Sequence, residues 1–89
     1  MRATTRIMFT MHMARQESSC ILCGTPLSWQ DATVEHLVPL SRLLLTGGMD
    51  ALVLQEKNIT LAHKRCNDEK GDQLPTKEQL ARHRRWYGE

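Results

Sequence analysis

The sequence has little of what lets a short chain fold on its hydrophobic core alone. It is 89 residues long, and only 4% of these are aromatic, namely Phe9, Trp29, Trp86 and Tyr87. A domain of this size buries a comparatively small share of its surface, so its core is marginal without further support. The three cysteines are an odd number, which fits a closed disulfide framework poorly. A bound metal is therefore the favoured source of stability.

Long apolar runs and a strong net charge are also missing. No apolar run approaches the length of a membrane span, so we expect a soluble protein with no membrane partner. A reducing cytoplasm is the expected location, and it suits cysteine thiolates that bind zinc. The formal net charge of +2 is too small to indicate a nucleic-acid partner by itself.

The charges are unevenly placed along the chain. Both ends are basic, whereas residues 17–57 are net acidic. This pattern predicts an acidic metal site flanked by phosphate-binding arms, with ordinary solvated surface charge as the alternative. The candidate phosphate contacts near the C-terminus are Arg82, Arg84 and Arg85.

Composition and turn signals divide the chain into three parts. Residues 1–17 are predicted to form a helix or an adaptable arm, residues 18–74 the core, and residues 75–89 a basic helix that begins with the capping-box spacing Thr76-x-x-Gln79. Within the core we predict a hairpin over residues 27–40 and a helix over residues 62–69, ended by Gly71. Residues 41–54 are predicted to form a helical turn, a loop and a short apolar piece.

Two pairs of residues have the spacing of zinc ligands. Cys20-x-x-Cys23 precedes the turn residues Gly24 and Pro26, and His63-x-x-Cys66 lies at the start of the predicted helix. Two thiolates on a tight turn, with an imidazole and a thiolate sharing a helix face, make the four-ligand set of a structural zinc site. The alternative is a surface histidine and small buried cysteines, which leaves the domain without its extra stability.

Three segments inside and around this predicted zinc site resemble the HNH endonuclease family. They are TVEHLVPLS at residues 33–41, NITLAH at residues 58–63 and CNDEKG at residues 66–71. The resemblance covers roughly residues 20–72. It implies an α+β fold, a small zinc-stapled treble-clef ββα-metal domain with flanking helices. It also implies an endonuclease that hydrolyses phosphodiester bonds, with DNA as the expected substrate.

The same resemblance implies a role for each matching residue. His36 would be the general base, Glu35 and Asn67 would hold a catalytic divalent metal, and Asn58 would brace the active-site loop. The implied cofactors are structural Zn²⁺ and catalytic Mg²⁺ or Mn²⁺. Glu35 stands where Asp is more common, and Asn67 stands where His is more common, which indicates the variant of the motif that ends in Asn. Similar small HNH proteins of phages and mobile elements support genome packaging or restriction.

The chemistry of these residue types supports this hypothesis independently of the family. Phosphodiester hydrolysis needs a base for the attacking water and a cation for the phosphate charge. A histidine can serve as that base near neutral pH, and carboxylate and amide oxygens suit Mg²⁺ or Mn²⁺. Adjacent residues of a regular strand point to opposite faces, so Glu35 and His36 converge only if the chain bends there, and Pro39 makes a bend plausible.

Two alternatives stay open at this point. Lys70 is either a phosphate contact or a solvated charge at the end of a helix. The chain as a whole could be a non-catalytic zinc-binding module that docks on nucleic acid or protein. The adjacent pair Glu35 and His36 distinguishes the two functions, since such a module needs neither an acid nor a base beside its zinc ligands.

Overall fold

The architecture is a two-stranded sheet with three helices, seen in a computed structural model that describes residues 3–39 and 58–88. The elements are α1 (Ala3–Arg15), β1 (Ala32–His36), β2 (Ile59–His63), α2 (Lys64–Lys70) and α3 (Lys77–Tyr87). The order β1, β2, α2 is the ββα unit, so the predicted α+β class is confirmed. The turn and apolar piece expected over residues 41–54 lie outside the described residues.

The strand pairing differs from the predicted hairpin. β1 and β2 are antiparallel, with Val34 opposite Leu61 and Glu35 opposite Thr60. The hairpin over residues 27–40 was wrong, because Ser28 and Asp31 close a turn that precedes β1 instead of joining two strands. The partner of β1 lies more than twenty residues further along the chain, a distance at which local turn signals carry no information about pairing.

The boundary between β2 and α2 also differs from the prediction. The helix begins at Lys64 and not at Ala62. Ile59 and Thr60 are β-branched and favour the strand, and the cross-strand pairing continues to His63, which is opposite Ala32. His63 is therefore both the last residue of β2 and the N-cap of α2.

Each face of the sheet carries its own apolar cluster. Leu61 packs with Phe9 and Met13 of α1 and with Leu27. Its neighbour Ala62 packs on the other side, in a cluster with Cys20, Ile21, Leu22 and Leu37. Successive strand residues point to opposite faces, so one five-residue strand joins both clusters.

The N-terminal segment is a packed helix. Just after α1, the buried side chain of Gln16 contacts the main chain of Leu61 in β2. Its Nε2 donates to the Leu61 carbonyl oxygen at 2.8 Å, and its Oε1 accepts from the Leu61 N–H at 2.8 Å. The Tyr87 hydroxyl at the end of α3 also donates to Oε1 and lies 2.8 Å from Nδ1 of His12. One buried amide therefore joins α1, β2 and α3.

The C-terminal helix begins as the sequence indicates. The Thr76 hydroxyl accepts from the Gln79 N–H, and the Gln79 side chain accepts from the Thr76 N–H, which together form the predicted capping box. Among the described residues, no helix has the length and apolar character needed to cross a membrane.

We predict that Gln16→Ala lowers the free energy of unfolding, while the matched change Gln30→Ala in the exposed turn before β1 leaves it nearly unchanged. Removing the Gln16 amide leaves the Leu61 N–H without a partner in a buried place, which costs about 1–3 kcal/mol for such a group. Urea denaturation of both zinc-loaded variants measures the difference. Equal stability of the two variants would show that Gln16 does not hold the three elements together.

Candidate functional site

The first half of the site is a tight turn over residues 18–27, the knuckle. Its ends pair as a short bridge between Ser19 and Pro26, and the Cys20 N–H donates to the Thr25 carbonyl oxygen at 2.9 Å. Gly24 has a φ of +78°, a left-handed conformation that glycine adopts without strain. The turn places the side chains of Cys20 and Cys23 together.

The second half of the site is the junction of β2 and α2, which brings His63 and Cys66 to the knuckle. The ligand atoms of Cys20, Cys23, His63 and Cys66 all lie within 4.8 Å of one another. Three sulfurs and one imidazole nitrogen at such separations fit the tetrahedral shell of a structural zinc ion. The Sγ atom of Cys20 also accepts hydrogen bonds from the main-chain N–H groups of Leu22 and His63, each at 3.3 Å.

The ring of His63 is oriented with one particular nitrogen toward the cysteines. Its Nδ1 lies 3.4 Å from Sγ of Cys23 and 3.8 Å from Sγ of Cys66. Its Nε2 lies 3.1 Å from the Pro26 carbonyl oxygen, which can only accept a hydrogen bond. Nε2 is therefore the nitrogen that can donate to Pro26 and Nδ1 is the nitrogen that faces the sulfurs, the arrangement that metal-binding histidines adopt.

The cysteines affect one another's protonation in a way that favours a bound cation. Burial and the negative charges of Cys20 and Cys23 raise the pKa of Cys66 to about 11. Although burial opposes it, hydrogen bonds from Thr25 and from the other two thiols lower the pKa of Cys23 to about 6. Three thiolates this close repel one another, and a divalent metal ion removes that repulsion.

Helix α3 holds the knuckle from outside. Nη1 of Arg82 donates to the carbonyl oxygens of Ile21 and Leu22 at 2.8 and 2.9 Å, and Nε2 of Gln79 also donates to Leu22. A Cβ atom at Gly24 would lie 2.8 Å from Nε of Arg82, so the guanidinium packs directly on the glycine. This packing could not be foreseen from the sequence, because no local pattern links Arg82 to a turn sixty residues earlier.

The three C-terminal arginines therefore differ in their surroundings. Arg82, predicted as a phosphate contact, lies against the knuckle with its guanidinium engaged. Arg84 is exposed, and the exposed Arg85 lies over the Trp86 ring, 5.3 Å from the ring centroid. Arg84 and Arg85 are thus the stronger candidates for phosphate contact.

A second site lies where β1 ends, in a cleft of about 240 Å³. It brings together three predicted site residues, Glu35, His36 and Asn67. β1 ends at His36, so its side chain need not point to the face of the sheet opposite to Glu35. Both side chains line the same cleft. The full lining is Val34, Glu35, His36, Pro39, Asn67, Gly71 and Asp72.

Two asparagines organise this cleft. The Asn58 side chain accepts from the Val38 N–H at 2.6 Å and donates to the Val38 carbonyl oxygen at 2.7 Å, and the Asn58 carbonyl oxygen accepts from the Leu37 N–H. These bonds hold the main chain of Leu37 and Val38, directly after His36, in place. Nδ2 of Asn67 donates to the Val34 carbonyl oxygen at 3.3 Å, and within the described residues no hydrogen bond engages its Oδ1.

Glu35 and Lys70 form a buried ion pair beside the cleft. The two residues are 4% and 8% exposed, and Nζ of Lys70 lies 3.8 Å from Oε1 of Glu35. Burial raises the pKa of Glu35 above its usual value, and Lys70 counteracts part of that rise. Within residues 3–39 and 58–88, neither Oε2 of Glu35 nor Nζ of Lys70 has a hydrogen-bond partner. The interpretation of Lys70 as a solvated charge is therefore wrong.

Comparison with known proteins agrees with this geometry. The model of the HNH endonuclease family matches residues 20–73, more than half of the chain. No curated protein matches the chain. The matched segment contains the zinc-ligand cluster, which is the four residues Cys20, Cys23, His63 and Cys66 that could hold a zinc ion. It also contains the cleft residues Glu35, His36 and Asn67. The chain belongs to the HNH endonuclease family.

We predict that the reduced wild-type protein binds one zinc ion per chain and that His63→Ala loses it. Because zinc binding and folding are coupled in small metal domains, this variant should also lose most of its folded structure. Its matched control is His36→Ala, which removes a histidine from the cleft and should keep zinc and fold. Metal analysis and circular dichroism measure both effects. A folded, fully reduced wild-type protein without zinc would contradict the prediction.

Proposed function

We propose that the protein is a metal-dependent endonuclease that hydrolyses phosphodiester bonds of DNA with His36 as its general base. The observation that carries this proposal is the single cleft in which Glu35, His36 and Asn67 meet. This lining combines a base with a carboxylate and an amide oxygen, which is more than a zinc-binding scaffold needs.

Each polar residue in or beside the cleft has its own role in the proposed reaction. The His36 imidazole accepts a proton from the attacking water, which makes the water oxygen nucleophilic toward phosphorus. Oε2 of Glu35 and Oδ1 of Asn67 are oxygen donors that fit Mg²⁺ or Mn²⁺. A bound cation of this kind would neutralise charge on the scissile phosphate and on the departing oxygen. Asn58 keeps the segment after His36 in place, so the base is oriented before substrate arrives.

Lys70 and the zinc ligands act indirectly in this proposal. Lys70 is buried, lies 3.8 Å from Oε1 of Glu35 and is not among the residues that line the cleft, so stabilising the Glu35 carboxylate is favoured over direct contact with phosphate. Cys66 belongs to the zinc-ligand cluster and Asn67 follows it on α2. Zinc bound by Cys66 therefore fixes the start of the helix from which Asn67 reaches the cleft.

We predict that His36→Ala reduces single-turnover cleavage of plasmid DNA in Mg²⁺ or Mn²⁺ by about 10²-fold or more, the usual loss on removing a positioned general base. Zinc content and thermal stability of the same variant serve as its control for folding. An unchanged rate would transfer the base role to another group. A wild-type protein that binds nucleic acid but cleaves neither DNA nor RNA with either metal would favour the non-catalytic zinc-binding module.

We predict that neutralising Arg84 and Arg85 together to glutamine makes DNA binding less dependent on salt. The slope of log affinity against log salt should fall in magnitude by about one for each phosphate that an arginine no longer neutralises. Arg82→Gln is the matched control. It should lower stability through the knuckle carbonyls and leave the slope unchanged. Fluorescence anisotropy across a salt series provides the slopes, and equal slopes in all variants would make these arginines ordinary surface charge.

A further inference from the structure

We propose that Asp72 is an oxygen ligand of the divalent cation bound in the cleft, directly or through one water molecule, and completes the set begun by Glu35 and Asn67. The inference rests on the proposed nuclease function and assigns it a residue outside the three motif segments. It follows from the charge of the cleft, the position of Asp72 and an unpartnered buried oxygen.

The charge that a cation would meet in the cleft calls for a second carboxylate. Glu35 is the only acid among the motif residues of the cleft, and Lys70 lies 3.8 Å from its carboxylate. Asn67 is neutral, so the carboxylate, the amide and the ammonium group sum to zero. Mg²⁺ sites in proteins use one or two carboxylates in addition to water and substrate phosphate. Because Lys70 balances the charge of Glu35, a second carboxylate has to supply the electrostatic attraction for the divalent cation.

Asp72 is held in a position that meets this need. It lines the cleft together with Asn67 and Gly71. Gly71 ends α2 with a φ of +56°, and its N–H donates to the Asn67 carbonyl oxygen at 3.0 Å. The Gln73 N–H donates to the Lys70 carbonyl oxygen at 3.1 Å, so the main chain of Asp72 is fixed on both sides. The turn that caps α2 therefore brings Asp72 back toward Asn67, so that both residues line the same cleft.

Glu35 points to a bound cation independently of the position of Asp72. Glu35 is more than nine-tenths buried, lines the cleft, and has an oxygen, Oε2, that no hydrogen-bond donor of the described residues reaches. A buried carboxylate oxygen left unpaired costs free energy unless something binds it. Within the described part of the chain, the Asp72 carboxylate has no ion pair either. Two carboxylates on one cleft, each with an oxygen to offer, define a site for a hard cation.

The test is Mn²⁺ binding, measured on the zinc-loaded protein by the electron paramagnetic resonance signal of free Mn²⁺. Asp72→Asn should raise the dissociation constant about 10- to 100-fold, the usual effect of disturbing one partner in a metal site. Asp68→Asn is the matched control, in α2 and four residues before Asp72. Its carboxylate pairs with Lys64 at 3.0 Å on the exposed surface, away from the cleft, so its loss should change binding little. Asp72→Glu should retain most of the affinity.

The Mn²⁺ measurements distinguish a wrong role for Asp72 from a wrong nuclease function. If wild-type protein binds Mn²⁺ and Asp72→Asn binds it equally well, the role of Asp72 is overturned and the cleft keeps its other ligands. If Asp68→Asn weakens binding as much as Asp72→Asn, the effect is one of general charge and the inference also fails. If the wild-type protein binds no Mn²⁺ at all, the metal-dependent function is wrong and this inference falls with it. Zinc content confirms the fold of every variant.

Discussion

The convergence of Cys20, Cys23, His63 and Cys66 is the constraint on which the rest of the structure depends. It joins a tight turn near the start of the chain to the junction of β2 and α2, which lies forty residues later. The apolar clusters on the two faces of the sheet are small, and one of them contains Cys20 and has Cys66 packed against it. A metal bound here thus acts as part of the core, because it fixes the same residues that the apolar contacts bring together.

The zinc-ligand cluster also determines the shape of the cleft. His63 ends β2 and Cys66 lies in the first turn of α2, so both elements leave the cluster in fixed directions. β2 pairs with β1 and places Glu35, while α2 carries Asn67 and Lys70. Three side chains near the proposed reaction therefore owe their positions to one four-residue cluster that takes no part in it.

The sequence predicts some of these features well because their signals are local. Cys20 and Cys23 share one turn, His63 and Cys66 share one helix start, and Thr76 with Gln79 marks the beginning of α3. The β1–β2 pairing was not foreseen, because the partner strand lies far away and its last two residues, Ala62 and His63, fell within the predicted helix over residues 62–69. The contacts of Lys70 with Glu35 and of Arg82 with the knuckle were not foreseen for a related reason, since only the fold brings these residues together. Asp72 lies outside the three motif segments, so no motif pointed to it. Gln16 has no motif at all, and only its burial reveals its function.

The buried Gln16 amide also affects whether copies of the protein can pair through the edge of β2. Both main-chain polar groups of Leu61 are occupied, the N–H by Gln16 and the carbonyl oxygen by Gln16 and by the Ile21 N–H. These groups belong to the side of β2 that faces away from β1, where a two-stranded sheet would otherwise offer an open edge. Exposed strand edges template pairing with other chains and lead to aggregation. Within the described residues, the Gln16 side chain and the Ile21 N–H take the place that a third strand would have beside Leu61, so this part of the edge of β2 is not open to another chain.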